Sequence, residues 1–228
     1  MSEASMVRRC GTRRFSRVLV TAGPTRERLD SVRYISNFST GNMGYALAAA
    51  SLDKGYKVTL ISGPTQLKRP KGARFIPVED ASEMERAVKA NIKKADCLFM
   101  AGAVSDWRPT KRISGKIRKA GKKSMTLRLV PNPDILREIG RAKGKKLIAG
   151  FALESSEADK RAEAKLKDKN LDLIVANSVG KKTPFGSGKT DVTIIDRRGK
   201  RERIEGATKK NIARKILKRA ERLWREER

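Results

Sequence analysis

Histidine is missing from the 228-residue chain altogether, and cysteine occurs only twice, at Cys10 and Cys97. The first absence excludes Ser-His-Asp triads, His-ligated metals and imidazole acid–base chemistry, which leaves lysine, carboxylates, amides and backbone groups to carry any reaction. The second provides neither zinc-ligand spacing nor a disulfide framework, and suits a reducing cytoplasm. Aromatic residues make up 5% of the chain against 38% hydrophobic residues in all, so an aliphatic core is expected. No apolar run approaches the roughly 20 residues that a bilayer-spanning helix needs, and no membrane partner is expected. Residues 1–16 (MSEASMVRRCGTRRFS) lack the apolar stretch of a secretory signal. They read as a flexible basic leader ahead of a single domain over 17–228.

Acidic residues are scarce: 25 Asp and Glu stand against 54 Lys and Arg, a net charge of +29. Such an excess attracts polyanions through counterion release. It is spread along the chain, however, without an arginine-rich block interleaved with aromatics and without a zinc-finger or RNA-binding motif. A basic surface that handles phosphate-bearing small molecules is the preferred explanation, with a nucleic-acid-binding protein as the alternative.

The first half alternates apolar strands with helices. Short β-branched runs at 17–22, 57–62, 74–78 and 96–101 read as buried strands, the first two followed by Gly-Pro. Residues 41–55 are alanine-rich between glycines, and 81–94 place Met84, Val88 and Ile92 at spacings of four, so both read as helices. This order predicts an α/β fold: a Rossmann-like, doubly wound, mostly parallel sheet with helices on both faces. Residues 105–124 are polar and crowded with Lys and Arg, and read as a long basic active-site loop. Strands are expected at 125–130, 147–151 and 171–176, a helix at 157–169, and a hairpin joining 191–196 to 200–204 through Arg198-Gly199. A final helix over about 207–227 carries Ile212, Ile216, Ala220, Leu223 and Trp224 as one stripe for packing on the sheet.

Several short patterns have chemical potential. Thr21-Ala-Gly-Pro-Thr25 follows the first strand and Ser39-Thr-Gly-Asn-Met-Gly44 opens the next helix. A small-residue turn feeding a helix start is an anion site, or simply a structural turn. It matches neither the dinucleotide fingerprint nor a Walker A loop. Arg33 and Asn37 are four apart, so a helical turn would put them on one face, although an ordinary capped segment is the preferred reading of the residues alone. Asp106 falls beyond the fourth strand, at the sheet edge where ligands bind in such folds, and could hold a ligand group or a metal, or cap a turn. Lys116-Ile-Arg-Lys119 suits a lid over phosphates or a solvated loop. Lys165 and Lys169, a helical turn apart, could clamp a triphosphate or face water.

In order along the chain, VTAGPTRERLDSVRYISNFSTGNMG, AVSDWRP followed by KIRK, LVPNPDIL, GFALE and KNLDLIVAN resemble the phosphopantothenate–cysteine ligases. That family occurs as the C-terminal half of a bacterial fusion protein and also free-standing; with no decarboxylase half present, the free-standing form is expected. The resemblance implies a cytoplasmic homodimer that joins 4'-phosphopantothenate and L-cysteine through an acyl-nucleotide. The nucleoside triphosphate would be CTP, as in bacterial members, with ATP as the alternative, and Mg2+ would accompany it. It implies nucleotide binding by Ala101, Gly102, Asp106, Lys116, Pro133, Asp134, Ile135, Leu136, Phe151, Lys165 and Lys169. Substrate binding would fall to Arg33, Asn37 and Ala103, and catalysis to Asn37 and Lys116, with the metal ligands unassigned. Two departures stand out. Asn42 replaces a lysine at the helix start, and Phe185-Gly-Ser-Gly-Lys-Thr-Asp-Val192 lacks an acid and an amide of the usual pattern. A Rossmann-type NAD(P) oxidoreductase is the enzymatic alternative, but it would need the dinucleotide fingerprint and a Tyr-x-x-x-Lys pair.

Overall fold

Strand pleating sends alternate residues to opposite faces, and the first strand already divides the core in two. Val18, Val20 and Ala22 join one apolar cluster, and Leu19 joins the other. The computed structural model describes residues 14–119, 121, 123–154, 158–178 and 188–226. In chain order its elements are β1 (Arg17–Ala22), β2 (Arg26–Arg28), β3 (Tyr34–Ser36), α1 (Asn42–Asp53), β4 (Lys57–Ser62), β5 (Arg74–Pro77) and α2 (Ala81–Ile92). There follow β6 (Cys97–Met100), β7 (Trp107–Pro109), β8 (Leu129–Pro131), α3 (Ile135–Arg141), β9 (Leu147–Glu154) and α4 (Ala158–Asp168). The last are β10 (Leu173–Ser178), β11 (Thr190–Asp196), β12 (Arg201–Ala207) and α5 (Lys209–Glu226).

Eight strands form one sheet in the order β12-β11-β10-β9-β6-β1-β4-β5. The pairs from β5 through β10 are parallel, and β11 and β12 add an antiparallel hairpin at the β10 edge. One face is covered by α1 and α5, the other by α2, α3 and α4. The expected doubly wound α/β sheet is therefore the observed one. All five residues of the C-terminal stripe are buried, as expected, and α5 packs on α1 and on the sheet edge. A buried ion pair fixes it there: Arg219 meets Asp196 at 2.6 Å, and Asp196 also accepts the amides of Arg198 and Lys200.

Four expectations need correction. Phe15, assigned to the leader, is buried against Tyr56 and Trp224, so the folded part begins before Arg17; residues 1–13 lie outside the described residues. The strand expected at 125–130 shrinks to β8, because its partner β7 is only three residues long and both stand apart from the main sheet. Residues 33–37 do not form a helical turn: β3 pairs antiparallel with β2, which puts Arg33 and Asn37 at opposite ends of an extended strand. The helix α3 had not been expected, although Asp134 caps it by accepting from the Arg137 amide and Ile135 and Ile139 bury at a spacing of four.

α1 lies unusually close to β1 at Gly44, where an added Cβ would stand 2.5 Å from the Ala22 Cβ and 2.6 Å from the Thr21 carbonyl oxygen. Gly44→Ala should therefore destabilise the fold by about 1–3 kcal/mol despite its better helix propensity. Gly188→Ala, with nothing within 4 Å of the new methyl, should stay within about 0.5 kcal/mol of wild type. Urea midpoints of the two variants check this.

Candidate active site

After β1 the chain builds outward through β4 and β5; it then crosses back to β6 and builds the other way through β9 and β10. A reversal of this kind opens a crevice at the carboxyl ends of the central strands. The loops leaving β1 and β6 are laced together there. The Gly102 amide donates to Thr21 Oγ1 at 2.9 Å, the Ala103 amide to the Gly23 carbonyl at 2.8 Å, and the Thr25 amide to the Ala103 carbonyl at 3.1 Å. The crevice has two adjoining chambers that share Gly102, Ala103, Phe151 and Leu153.

The larger chamber, about 850 Å³, is lined by Asp106, Pro133, Asp134, Ile135 and Leu136 on one side and by Phe151, Lys165 and Lys169 on another. Gly102 and Ala103 form its floor, and Asn37 reaches it with its amide donated to the Ala103 carbonyl at 3.1 Å. Lys169 binds both oxygens of Asp134, at 3.0 and 2.9 Å. Burial alone would raise the Asp134 pKa, but Lys169 and the Arg137 amide hold it below the ordinary carboxylate value. An ionised carboxylate thus sits beside one of the cations that a triphosphate would approach.

Two further residues shape this chamber and were not foreseen. Asn132 donates from Nδ2 to the Ser105 carbonyl and from its backbone amide to the Asp106 carbonyl, each at 2.8 Å, while Arg108 donates to Asn132 Oδ1. The Ser105 amide in turn donates to Thr25 Oγ1 at 2.9 Å. These bonds hold the Asp106 turn against the start of α3. Only the quoted LVPNPDIL run could have hinted at Asn132.

The smaller chamber, about 200 Å³, abuts the start of α1 and includes Ala101, Asn42 and Lys209. Asp80 caps α2 and Thr208 caps α5, but no side chain caps α1 and its first turn holds no acid. Gly41 occupies its N-cap at φ 82, where an added Cβ would stand 2.8 Å from the Thr65 methyl and 3.3 Å from the Gly23 backbone. Free amide groups and the helix dipole both favour an anion at such a start. Lys209 is half-buried, and burial lowers its pKa.

Two nominated residues are absent from both chambers. Arg33 belongs to the turn between β2 and β3, and Lys116 lies exposed on the basic loop beside that turn. Asp106 is exposed at the rim of the larger chamber. Among the described residues no three His, Cys, Asp or Glu side chains gather as a metal site. The Phe185–Ser187 part of the divergent motif lies outside the described residues.

Comparison with known proteins fits this geometry. A family model described as the DNA/pantothenate metabolism flavoprotein C-terminal domain matches residues 14–223. The coenzyme A biosynthesis bifunctional protein CoaBC of Bacillus subtilis is 42% identical over 202 residues, covering 88% of this chain and 50% of that protein. The chain thus spans about half the length of the curated relatives it matches. The crystal structure of the C-terminal domain of a CoaBC protein superposes with a TM-score of 0.81 at 35% identity, covering 94% of this chain and 98% of that one. The H337A mutant of Cab2, solved in complex with phosphopantothenate-cysteine, shares the fold at a TM-score of 0.74 and 19% identity, covering 93% and 88%.

The Lys169–Asp134 pair makes a specific prediction. Lys169→Ala removes a cation and also leaves the Asp134 charge with only Arg137 as its ionic partner, at 3.4 Å, so nucleoside triphosphate should bind at least about tenfold more weakly. Adding Asp134→Asn, which keeps a helix cap, should recover part of the loss. Titration calorimetry of the single and double variants measures both effects; equal losses would show that the carboxylate plays no part.

Proposed function

This chain belongs to the family described as the DNA/pantothenate metabolism flavoprotein C-terminal domain, and from that premise we propose that it is a nucleoside-triphosphate-dependent ligase. It joins 4'-phosphopantothenate to L-cysteine in coenzyme A synthesis. The observation that carries this reading is convergence. Residues nominated for nucleotide binding come from the loops after β6, β7 and β8, from α3, β9 and α4, and from Lys169 just past α4, and all except Ala101 and Lys116 line the larger chamber. Ala101 lines the smaller one, which ends on the uncapped start of α1 and suits the phosphate of 4'-phosphopantothenate. Asn42 takes the place of a lysine there, and Lys209 brings a cation to the same chamber.

The chemistry needs no nucleophilic side chain, in keeping with a histidine-free chain. A carboxylate oxygen of the pantothenate attacks the α-phosphorus, pyrophosphate leaves, and an acyl-nucleotide remains. The cysteine amine then adds to the acyl carbon; the nucleoside monophosphate departs and the surplus amine proton passes to solvent. Lys165 and Lys169 offset the charge of the triphosphate, and Asn37, held by the Ala103 carbonyl, orients the acyl group. Asp106, at the rim of the larger chamber, would be the carboxylate to hold a magnesium ion arriving with the triphosphate, and such an ion would supply charge neutralisation to the leaving pyrophosphate.

CTP is the proposed nucleotide, by resemblance to bacterial members. A homodimer is the proposed assembly, because the β2–β3 and β7–β8 ribbons and the adjoining loops expose Val32, Tyr34, Ile113 and Met125, an apolar surface that a second copy would cover. A reducing cytoplasm suits the buried free thiol of Cys97. No helix among the described residues is long and apolar enough to cross a membrane.

The test is a single-turnover reaction with 4'-phosphopantothenate, cysteine, Mg2+ and CTP or ATP, following pyrophosphate and conjugate separately. Wild type should release pyrophosphate and form the conjugate, faster with CTP. Asn37→Asp sets a carboxylate against the Ala103 carbonyl in place of a donor, and should slow amide formation by about a hundredfold. Asn37→Asp and Lys116→Gln should both accumulate acyl-nucleotide. Pyrophosphate and conjugate slowed in parallel would refute that division of labour, and a wild-type chain releasing no pyrophosphate would refute the ligase.

A further inference from the structure

Arg33 and Lys116 sit outside both chambers, yet one buried carboxylate touches the backbone around each of them. Asp30 is 1% exposed. Its Oδ1 accepts the amides of Val32 at 2.7 Å and Arg33 at 2.6 Å. Its Oδ2 accepts the Arg33 guanidinium and the Ile117 amide, each at 3.0 Å. The same guanidinium nitrogen donates to the Ile117 carbonyl at 3.2 Å. On the other side of Lys116, the Ser31 amide donates to the Gly115 carbonyl at 3.1 Å, and the Ile113 amide donates to the Leu29 carbonyl at 3.0 Å. Both neighbours of Lys116 are therefore bonded to the 29–33 turn, while Lys116 itself is exposed.

A carboxylate that only closed its own turn would need one oxygen for the nearby amides. Asp30 commits its second oxygen to a residue 87 positions away. The Ile117 amide is also the strongest of the influences that hold the Asp30 pKa down to about 2. A carboxylate with a lowered pKa contributes its stabilisation above its ordinary value and loses it as pH falls through the lowered one. The anchor is accordingly in place at any pH above about 4.

We propose that Asp30 is a positioning residue: it fixes Lys116 and Arg33 to one turn, so that the two cations are presented as a single preassembled unit. The role of Lys116 in this inference rests on the ligase reading, whereas the anchoring does not. Asp30 lines neither chamber, so its effect on chemistry is exerted through Lys116 and Arg33.

Hydrogen exchange at the Ile117 amide, followed on the full chain, reads the anchor without any activity. Asp30→Asn should speed that exchange by about tenfold or more. Ile117→Pro removes the donor and leaves Asp30 untouched; because it lies in a surface loop, circular dichroism should match wild type. In the single-turnover assay, both variants should slow conjugate formation by about tenfold while nucleotide KM stays within about twofold. Neither should slow an Arg33→Gln/Lys116→Gln protein further, since both residues being positioned are already gone. Unchanged exchange in Asp30→Asn would overturn the anchor. Faster exchange with wild-type conjugate formation, or losses that multiply with that of the Arg33→Gln/Lys116→Gln protein, would overturn the positioning role alone. A wild-type chain that releases no pyrophosphate would sink the ligase reading and the positioning role together.

Discussion

The closeness of α1 to β1 is the constraint on which the rest of the crevice depends. Without a side chain at Gly44, the helix backbone rests directly on Ala22 and Thr21. That contact determines where the helix begins, and so where its unpaired amides point. Gly41 and Gly23 continue the same close approach, backbone against backbone, into the turn after β1. The loop leaving β6 is then bonded to this turn through Thr21, Gly23 and Thr25. A helix start, two strand ends and the floor of both chambers are thereby made one rigid piece. A bulkier residue at position 44 would lift α1 and displace that whole piece together.

Scarcity of acid gives the few internal carboxylates unusual weight. Asp172 accepts Lys143, Arg197 and the Ile148 amide, all at 2.8 Å, where the β9 and β10 ends meet. Asp196 holds α5 to the hairpin through Arg219, whose Nε has no hydrogen-bond partner among the described residues. Glu27 accepts the Ala81 amide at the start of α2, and burial raises its pKa. Asp134 caps α3 and pairs Lys169. Each carboxylate joins elements distant in sequence, and removing one partner of a buried pair typically costs about 3–5 kcal/mol. In a chain with 25 acids and 54 bases, the buried acids among the described residues, Glu27, Asp30, Asp172 and Asp196, serve as internal fasteners. The cationic surplus is left to the surface and the chambers, where phosphates are the natural counter-charge.

The main sheet was legible because burial imposes a period that composition can express. Runs such as Val18-Leu-Val and Leu98-Phe-Met are apolar on both faces, as a doubly covered parallel strand must be. The β2–β3 ribbon carried no such mark: Arg26-Glu-Arg28 and Tyr34-Ile-Ser36 are short, half polar and held by each other. Pairing of that kind depends on a partner rather than on a pattern, and the local spacing of Arg33 and Asn37 pointed to a helix that never forms. The candidate site residues were nominated through ordered motifs, which identify positions but carry no geometry. Nothing in the sequence indicated that Lys169 would be tied to Asp134, or that Lys116 would be held beside Arg33 and outside the cleft.

The residues nominated for function therefore fall into two mechanical classes. Those lining the chambers stand on strand ends, on helix termini or on loops bonded to them, where packing limits their movement. Arg33 and Lys116 stand on an excursion whose bonds run mainly to itself, through the 29–33 turn and the 113–117 segment. Preorganisation is most valuable for groups that act on developing charge, since a cation held in place spends little free energy on reorganisation as the reaction proceeds. A basic loop with 54 Lys and Arg in its parent chain would otherwise repel itself and spread. A buried carboxylate at its root reverses that tendency locally. It ties the backbone on both sides of Lys116, and Arg33 with it, to one turn.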